Sequence, residues 1–454
     1  MKKHLPVIIL AGILLLSGCT SGNTTPSGSG DSSIESSEKA AQTSAPVNTA
    51  DVSSEETTGQ ETINEATELR MDKGAPSSDF SGLAKDYTEL PEYMMDDTVW
   101  RPVALRQCDL SKLDLHDQLD KLLHAEFDMQ TIWPDNMPEE FDPQAVMDMA
   151  RTPGLEINTL HDQGLTGKGI GIAIIDQPLL LEHNEYKDRI KSYEVIGYAG
   201  SFYTASMHGP LMTSIAAGTN CGAAPESDIY YFCGNVWNEA GDTQSWLDYA
   251  SAVNRVIEIN TTLPEANRIR VISISASWKP EDIGYADIEA AIERAKEQGI
   301  FVLNCDLYME SGYTMCFQGL DRNPLDSKER AESFSAVSWE QWLSMEEGGY
   351  GDFYKEQFAA NPPEEILLVP MNSVLGAAPT GADDYTFYRI GGWSSAEPYI
   401  AGIYAMACQA DPEITPELFW KAALATGDVK EIENDGTSYA GKMINPVKLV
   451  KSLL

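Results

Sequence analysis

The apolar residues of this chain change rhythm along its length. Short unbroken apolar runs occur at GIAIID (171–176), VISISAS (271–277), GIFVLNC (299–305) and EILLVP (365–370). Runs of this length predict strands buried on both faces, which belong to parallel sheets. A further apolar strand, DIYYF, follows the turn-forming GAAPES. Between these runs the rhythm becomes helical. DIEAAIERAKEQ (287–298) sets apolar residues three and four apart among charges, and LMTSIAAG (211–218) begins another helix. Leu113, Leu115, Leu119, Leu122 and Leu123 repeat at mixed three- and four-residue spacing and predict a helix there too. Strands alternating with helices imply an α/β fold: a mostly parallel central sheet with helices on both faces. Active sites of such sheets gather at the carboxyl ends of strands, and Asp176 closes GIAIID.

The first residues read as targeting. MKKH is basic, LPVIILAGILLL is apolar but short for a membrane span, and LSGC places small residues before Cys19. LSGC resembles the lipobox of bacterial lipoproteins. That resemblance implies a signal peptide over 1–18, cleavage before Cys19, lipidation of its thiol, and an extracytoplasmic protein tethered to a bacterial membrane. An ordinary secretory signal or a short anchor is the other reading. Residues 19–90 are rich in Ser, Thr, Gly and Glu with few aromatics, and residues 31–100 carry 16 acidic against 4 basic residues, 4 − 16 = −12. Such a stretch buries too little apolar surface to offset its chain entropy, so a disordered acidic stalk is expected. An N-terminal extension over 91–154, helical or propeptide-like, precedes the main domain at 155–454.

The formal net charge of −39 excludes nucleic acid as a partner and argues against anionic lipid surfaces. With Cys19 assigned to lipid, six cysteines remain, at 108, 221, 233, 305, 316 and 408. Cys221 with Cys233 and Cys305 with Cys316 are close enough in sequence to pair, and buried free thiols are an equal reading. No CxxC and no His–Cys cluster indicates zinc.

Histidine is scarce, at 4, 116, 124, 161, 183 and 208. Ser394 and Ser395 precede Pro398 and a long apolar run. A buried helix with a serine N-cap accounts for that pattern without any catalysis. A nucleophilic serine would need a base, and the base an acid. IAIIDQP around Asp176, HGPLMTSIAAG with GAAPESDIY after His208, and GWSSAEPYIAG around Ser394 together resemble the subtilases, the subtilisin-like serine peptidases. The order Asp, His, Ser matches that family, as does the late GKMINP. The resemblance spans about residues 155–454. It implies a triad in which Ser394 attacks a scissile carbonyl, His208 takes and returns the proton, and Asp176 orients the ring. Ser395 takes a position usually held by Met, and His183 a structural place after the acid strand.

The resemblance also implies an edge strand for substrate at Ser275, Ala276 and Ser277, with Ser277 where the family has Gly. The side-chain oxyanion donor falls on Tyr308, or on Asn304 if the register slips. Trp393 stands where the family has Thr, a large ring beside the nucleophile. An insertion covers about 306–390. No cofactor is required by this chemistry; calcium is common in the family, and no loop here is assigned to it. The implied partner is a peptide or protein substrate, with the membrane reached through lipid on Cys19; the oligomeric state is not legible. The implied function is a tethered serine endopeptidase. A silent subtilase fold used for binding or scaffolding is the alternative, motivated by Trp393 and by an oxyanion-donor slot that falls on Tyr308 where the family has Asn. Glu397 and the low pI prompt a sedolisin-like acid peptidase, against which stands His208 opening a helix. A solute-binding lipoprotein would show two similar lobes, and the chain carries no internal repeat.

Overall fold

The computed structural model describes residues 68–95, 100–197, 204–236, 243–305, 320–326, 334–336, 365–434 and 437–454. Residues 66–454 form one unit. Cys19, most of the stalk, Tyr308 and Cys316 lie outside the described residues.

The end of the expected stalk is built into the fold. Met71 bridges Tyr193 in parallel, the Asp72 N–H donates to Tyr193 O (2.8 Å), and Ser78 and Leu90 are buried. The extension then supplies β1 (Val103–Ala104) and β2 (Ala125–Asp128), paired in parallel. The leucine-rich stretch between them is helical only over Leu119–Leu122. Asp109 and Asp114 divert it, accepting the backbone N–H groups of Ser111 (3.0 Å) and His116 (3.3 Å). Such local turns compete with helix. Leu110, Leu115 and Leu122 are buried all the same, by a folded-back chain. Helix α1 (Pro143–Ala150) follows, with Asp142 capping its start through the Gln144 N–H.

The central sheet holds β3 (Gly171–Asp176), β4 (Ile190–Val195), β5 (Asp228–Cys233), β6 (Ile269–Ile274) and β7 (Phe301–Asn304) in the order β4-β5-β3-β6-β7, every pair parallel. β4, IKSYEV, lacks a continuous apolar run because it lies at the outer position, and its buried Glu194 is met by the Arg255 guanidinium (2.9 and 3.1 Å). One face of the sheet carries Ile172 and Ile174 against α2 (His208–Ala217). The other carries Ala173 and Ile175 against α3 (Leu247–Thr262) and α4 (Tyr285–Glu297). The period-2 alternation of a strand produces this split.

EILLVP does not join this sheet. Its β8 (Leu367–Leu368) pairs in parallel with a strand near the C-terminus, Thr437–Met443. Most of the remainder of the expected insertion that is described, β9 (Val374–Ala377) and β10 (Tyr385–Tyr388), joins the extension in a four-stranded sheet of order β9-β10-β2-β1. Helix α5 (Ala396–Ala410) completes the α2 face, followed by α6 (Pro416–Thr426) and the hairpin of β11 (Asp428–Asn434) with β12 (Thr437–Met443). Cys108, Cys221, Cys233 and Cys408 are buried free thiols, so Cys221 and Cys233 do not pair.

Candidate active site

Two apolar helices set the site. α2 is buried from Gly209 to Ala217 and α5 from Ala396 to Cys408. Each carries a proline in its first turn, Pro210 and Pro398, where a missing N–H costs no helical bond. They pack closely because of Gly402, where a Cβ would meet Ala216 O and Ala223 Cβ, each at 2.6 Å.

The start of α2 lies at the carboxyl end of β3. Asp176 falls on the Ile172–Ile174 side by alternation, and is 3% exposed. His208, the first residue of α2, places Nδ1 2.7 and 2.9 Å from the two Asp176 carboxylate oxygens. The Gln177 N–H donates to the same carboxylate (2.7 Å) and fixes it further. With Nδ1 donating to Asp176, the neutral ring carries its lone pair on Nε2. Burial disfavours the imidazolium, but the Asp176 charge and hydrogen bond outweigh it, and the His208 pKa is raised above the ordinary 6.5. Around the pair, burial drives the Tyr231 and Tyr249 hydroxyls well above their ordinary range and the Cys233 thiol to about 12, so these neighbours stay neutral.

Ser394 sits in a 3-10 turn, Trp393–Ser395, that runs into α5 and packs against α2. Gly392 enters this turn at φ +63°, a region that favours glycine. Neither serine caps the helix through its side chain. Ser395 is 1% exposed with its Oγ buried, whereas Ser394 is partly exposed. The Ser275 hydroxyl donates to Ser394 O (2.8 Å), tying the turn to the end of β6. Ala276 O accepts from the Cys305 N–H (3.0 Å), and Ser275, Ala276 and Ser277 all remain half-buried. Trp393 is half-buried and packs against the central core.

Asn304 does not join this group. It pairs in register with Ile274, which packs with Val302 on the α3–α4 face. Alternation therefore carries the Asn304 side chain to the face opposite Asp176. His183 is also elsewhere employed: its Nε2–H donates to Asp384 O (2.9 Å), its Nδ1 accepts from the Glu185 N–H (3.2 Å), and burial lowers its pKa.

No family model matches the sequence. Among solved structures, the chain is similar to the prenylagaramide maturation protease PagA at 17% identity, over 66% of this chain and 98% of that one, with a TM-score of 0.40. Among the described residues no group of three or more His, Cys, Asp and Glu side chains is placed to hold a metal ion.

One further residue beside the site carries no signal in the sequence pattern. Arg106, from the extension, donates through Nη1 to Met207 Sδ (2.9 Å), immediately before His208. It lies in a turn closed by a non-glycine residue at positive φ, Gln107, which periodicity does not reveal.

Proposed function

We propose that this protein is a serine endopeptidase that hydrolyses peptide bonds through Asp176, His208 and Ser394 and an acyl-enzyme. The observation that carries the reading is the two-oxygen contact of Asp176 with His208 Nδ1, made at the start of a helix against which the Ser394 turn packs. In the first step His208 Nε2 takes the Ser394 proton as Oγ attacks the scissile carbonyl. Asp176 holds the tautomer and stabilises the imidazolium, which then protonates the departing amine. Water, activated by the same ring, attacks the ester and releases the acid. Ser395 N–H and Ala396 N–H are spent on Gly392 O and Trp393 O within the turn. The Ser394 N–H is thus the backbone donor available to the oxyanion, aided by the positive end of α5. With Asn304 on the opposite face, a side-chain donor would come from the segment after β7, where Tyr308 stands. The edge segment Ser275–Ser277 would receive extended peptide by strand addition. The lipobox reading adds that the domain acts outside the cytoplasm, tethered by lipid on Cys19.

Fluorophosphonate labelling of the purified chain tests the reading, with the modified peptide mapped by mass spectrometry. Label on Ser394, lost in Ser394→Ala and His208→Ala, is the expected result. A folded chain that takes no label between pH 5 and 9 would favour the silent binding fold, a reading that the placement of Asn304 motivates.

A further inference from the structure

Other arginines of the domain are committed to carboxylates. Arg389 forks onto Asp321 (2.7 and 2.9 Å), and Arg255 forks onto Glu194. Arg106 is not committed in this way. Its guanidinium rests on the Met207 thioether at 2.9 Å and lies 5.9 Å from the centre of the Tyr388 ring. Among the described residues no carboxylate forms an ion pair with it. A thioether is a weak acceptor, and a guanidinium has five N–H donors in a planar fork suited to carboxylates. The side chain is only half-buried. Its turn is held in a costly conformation: Gln107 adopts φ +58°, and its N–H is fixed on Asp128 Oδ1 (3.0 Å). A non-glycine residue held in this region commonly marks a functional constraint.

The position matters as much as the vacancy of the fork. Met207 precedes the base, and Tyr388 begins the YRIGGW stretch that leads directly into Ser394. If His208 hands its proton to the leaving amine, the peptide beyond the scissile bond departs past Met207 and therefore past Arg106. We infer that Arg106 forms a subsite for an acidic side chain on the leaving-group side of a peptide substrate. The assignment of side rests on the peptidase reading; the selection of an acid does not. Buried Glu126 is the competing owner of this charge: burial raises its pKa, while Arg106 and Arg389 act against that rise. It lies outside ion-pair distance of Arg106, so among the described residues no carboxylate closes the fork against one brought by substrate.

The net charge of −39 makes the test sharp, because nonspecific attraction would favour basic peptides. The full chain carrying Ser394→Ala is immobilised and offered an equimolar pool of synthetic decapeptides, random at the flanks, each with one central Glu or Gln. The Glu members should be retained roughly 10-fold over the Gln members, the scale of a charge-assisted bidentate contact. Adding Arg106→Gln should remove the preference, Arg106→Lys should keep part of it, and Glu126→Gln should keep all of it. Equal retention by the chain with Arg106 intact overturns the inference, whatever the variants do. So does a Glu preference that survives Arg106→Gln. Glu selection without phosphonate label on Ser394 would sink the peptidase reading and leave the acid subsite standing; label on Ser394 without Glu selection would do the reverse. In a cleaving wild-type chain, the selected Glu should fall on the C-terminal side of the cut.

Discussion

At the residue scale the site turns on one hydrogen-bonded pair. Asp176→Asn keeps the shape but offers an amide that favours the wrong imidazole tautomer, and should slow labelling of Ser394 by about 10,000-fold. The pH profile follows from the raised His208 pKa. Only the neutral ring accepts the serine proton, so labelling should rise through a midpoint above 6.5. Stability has the opposite dependence. A histidine whose folded pKa exceeds its unfolded value stabilises fully below the unfolded pKa, and that contribution fades as pH rises through the folded pKa. The melting temperature lost in Asp176→Asn should thus be largest in acid and shrink above neutrality; a loss independent of pH would refute the coupling. Asp176, His208 and Ser394 could be singled out in the sequence because each stands at an element end with its own local pattern. Asn304 was not, because its side depends on a one-residue register that two equally apolar neighbours, Leu303 and Cys305, leave undetermined in sequence.

At the scale of elements, the buried helices were easier to read than the amphipathic ones. α2 and α5 announce themselves by apolar residues on every side and a first-turn proline. The stretch before Leu119 carries convincing helical spacing, yet Asp109 and Asp114 turn it aside, and spacing alone does not weigh an Asx turn against a helix. EILLVP has the composition of a central strand but sits on a separate sheet, because a short apolar run records burial and not the identity of its partner. The contact of α2 with α5 is where element packing reaches the chemistry. Gly402→Val would drive its side chain into Ala216 O and Ala223 Cβ. We expect a loss of about 1–3 kcal/mol, the usual cost of overpacking, read by denaturant titration. Ser394 labelling should weaken beyond what the unfolded fraction explains, since the turn that bears the serine moves with α5.

At the scale of the whole molecule, the extension is packed into the core and one sheet of the domain. β2 lies between β1 and β10, and Phe127, Leu122 and Val146 share one core with Leu375, Tyr385 and Phe387 from the later chain. The same extension carries Arg106 to the edge of the site. Cutting the chain after residue 150 would uncover Leu375, Tyr385 and Phe387 together. At roughly 1.5–3 kcal/mol for each large apolar side chain, that loss is comparable with the whole stability of an ordinary domain, about 5–15 kcal/mol. A chain beginning at residue 66 retains the Met71 bridge to Tyr193 and the contact of Arg70 with Glu194 (3.4 Å). It should therefore melt at the temperature of the full chain and take the same phosphonate label. A chain beginning at residue 151 should fail to show a cooperative transition in calorimetry. If that shorter chain instead melts cooperatively and labels faster on Ser394, the extension is an inhibitory leader of the kind many secreted peptidases shed, and the acid subsite at Arg106 would then belong to the precursor alone.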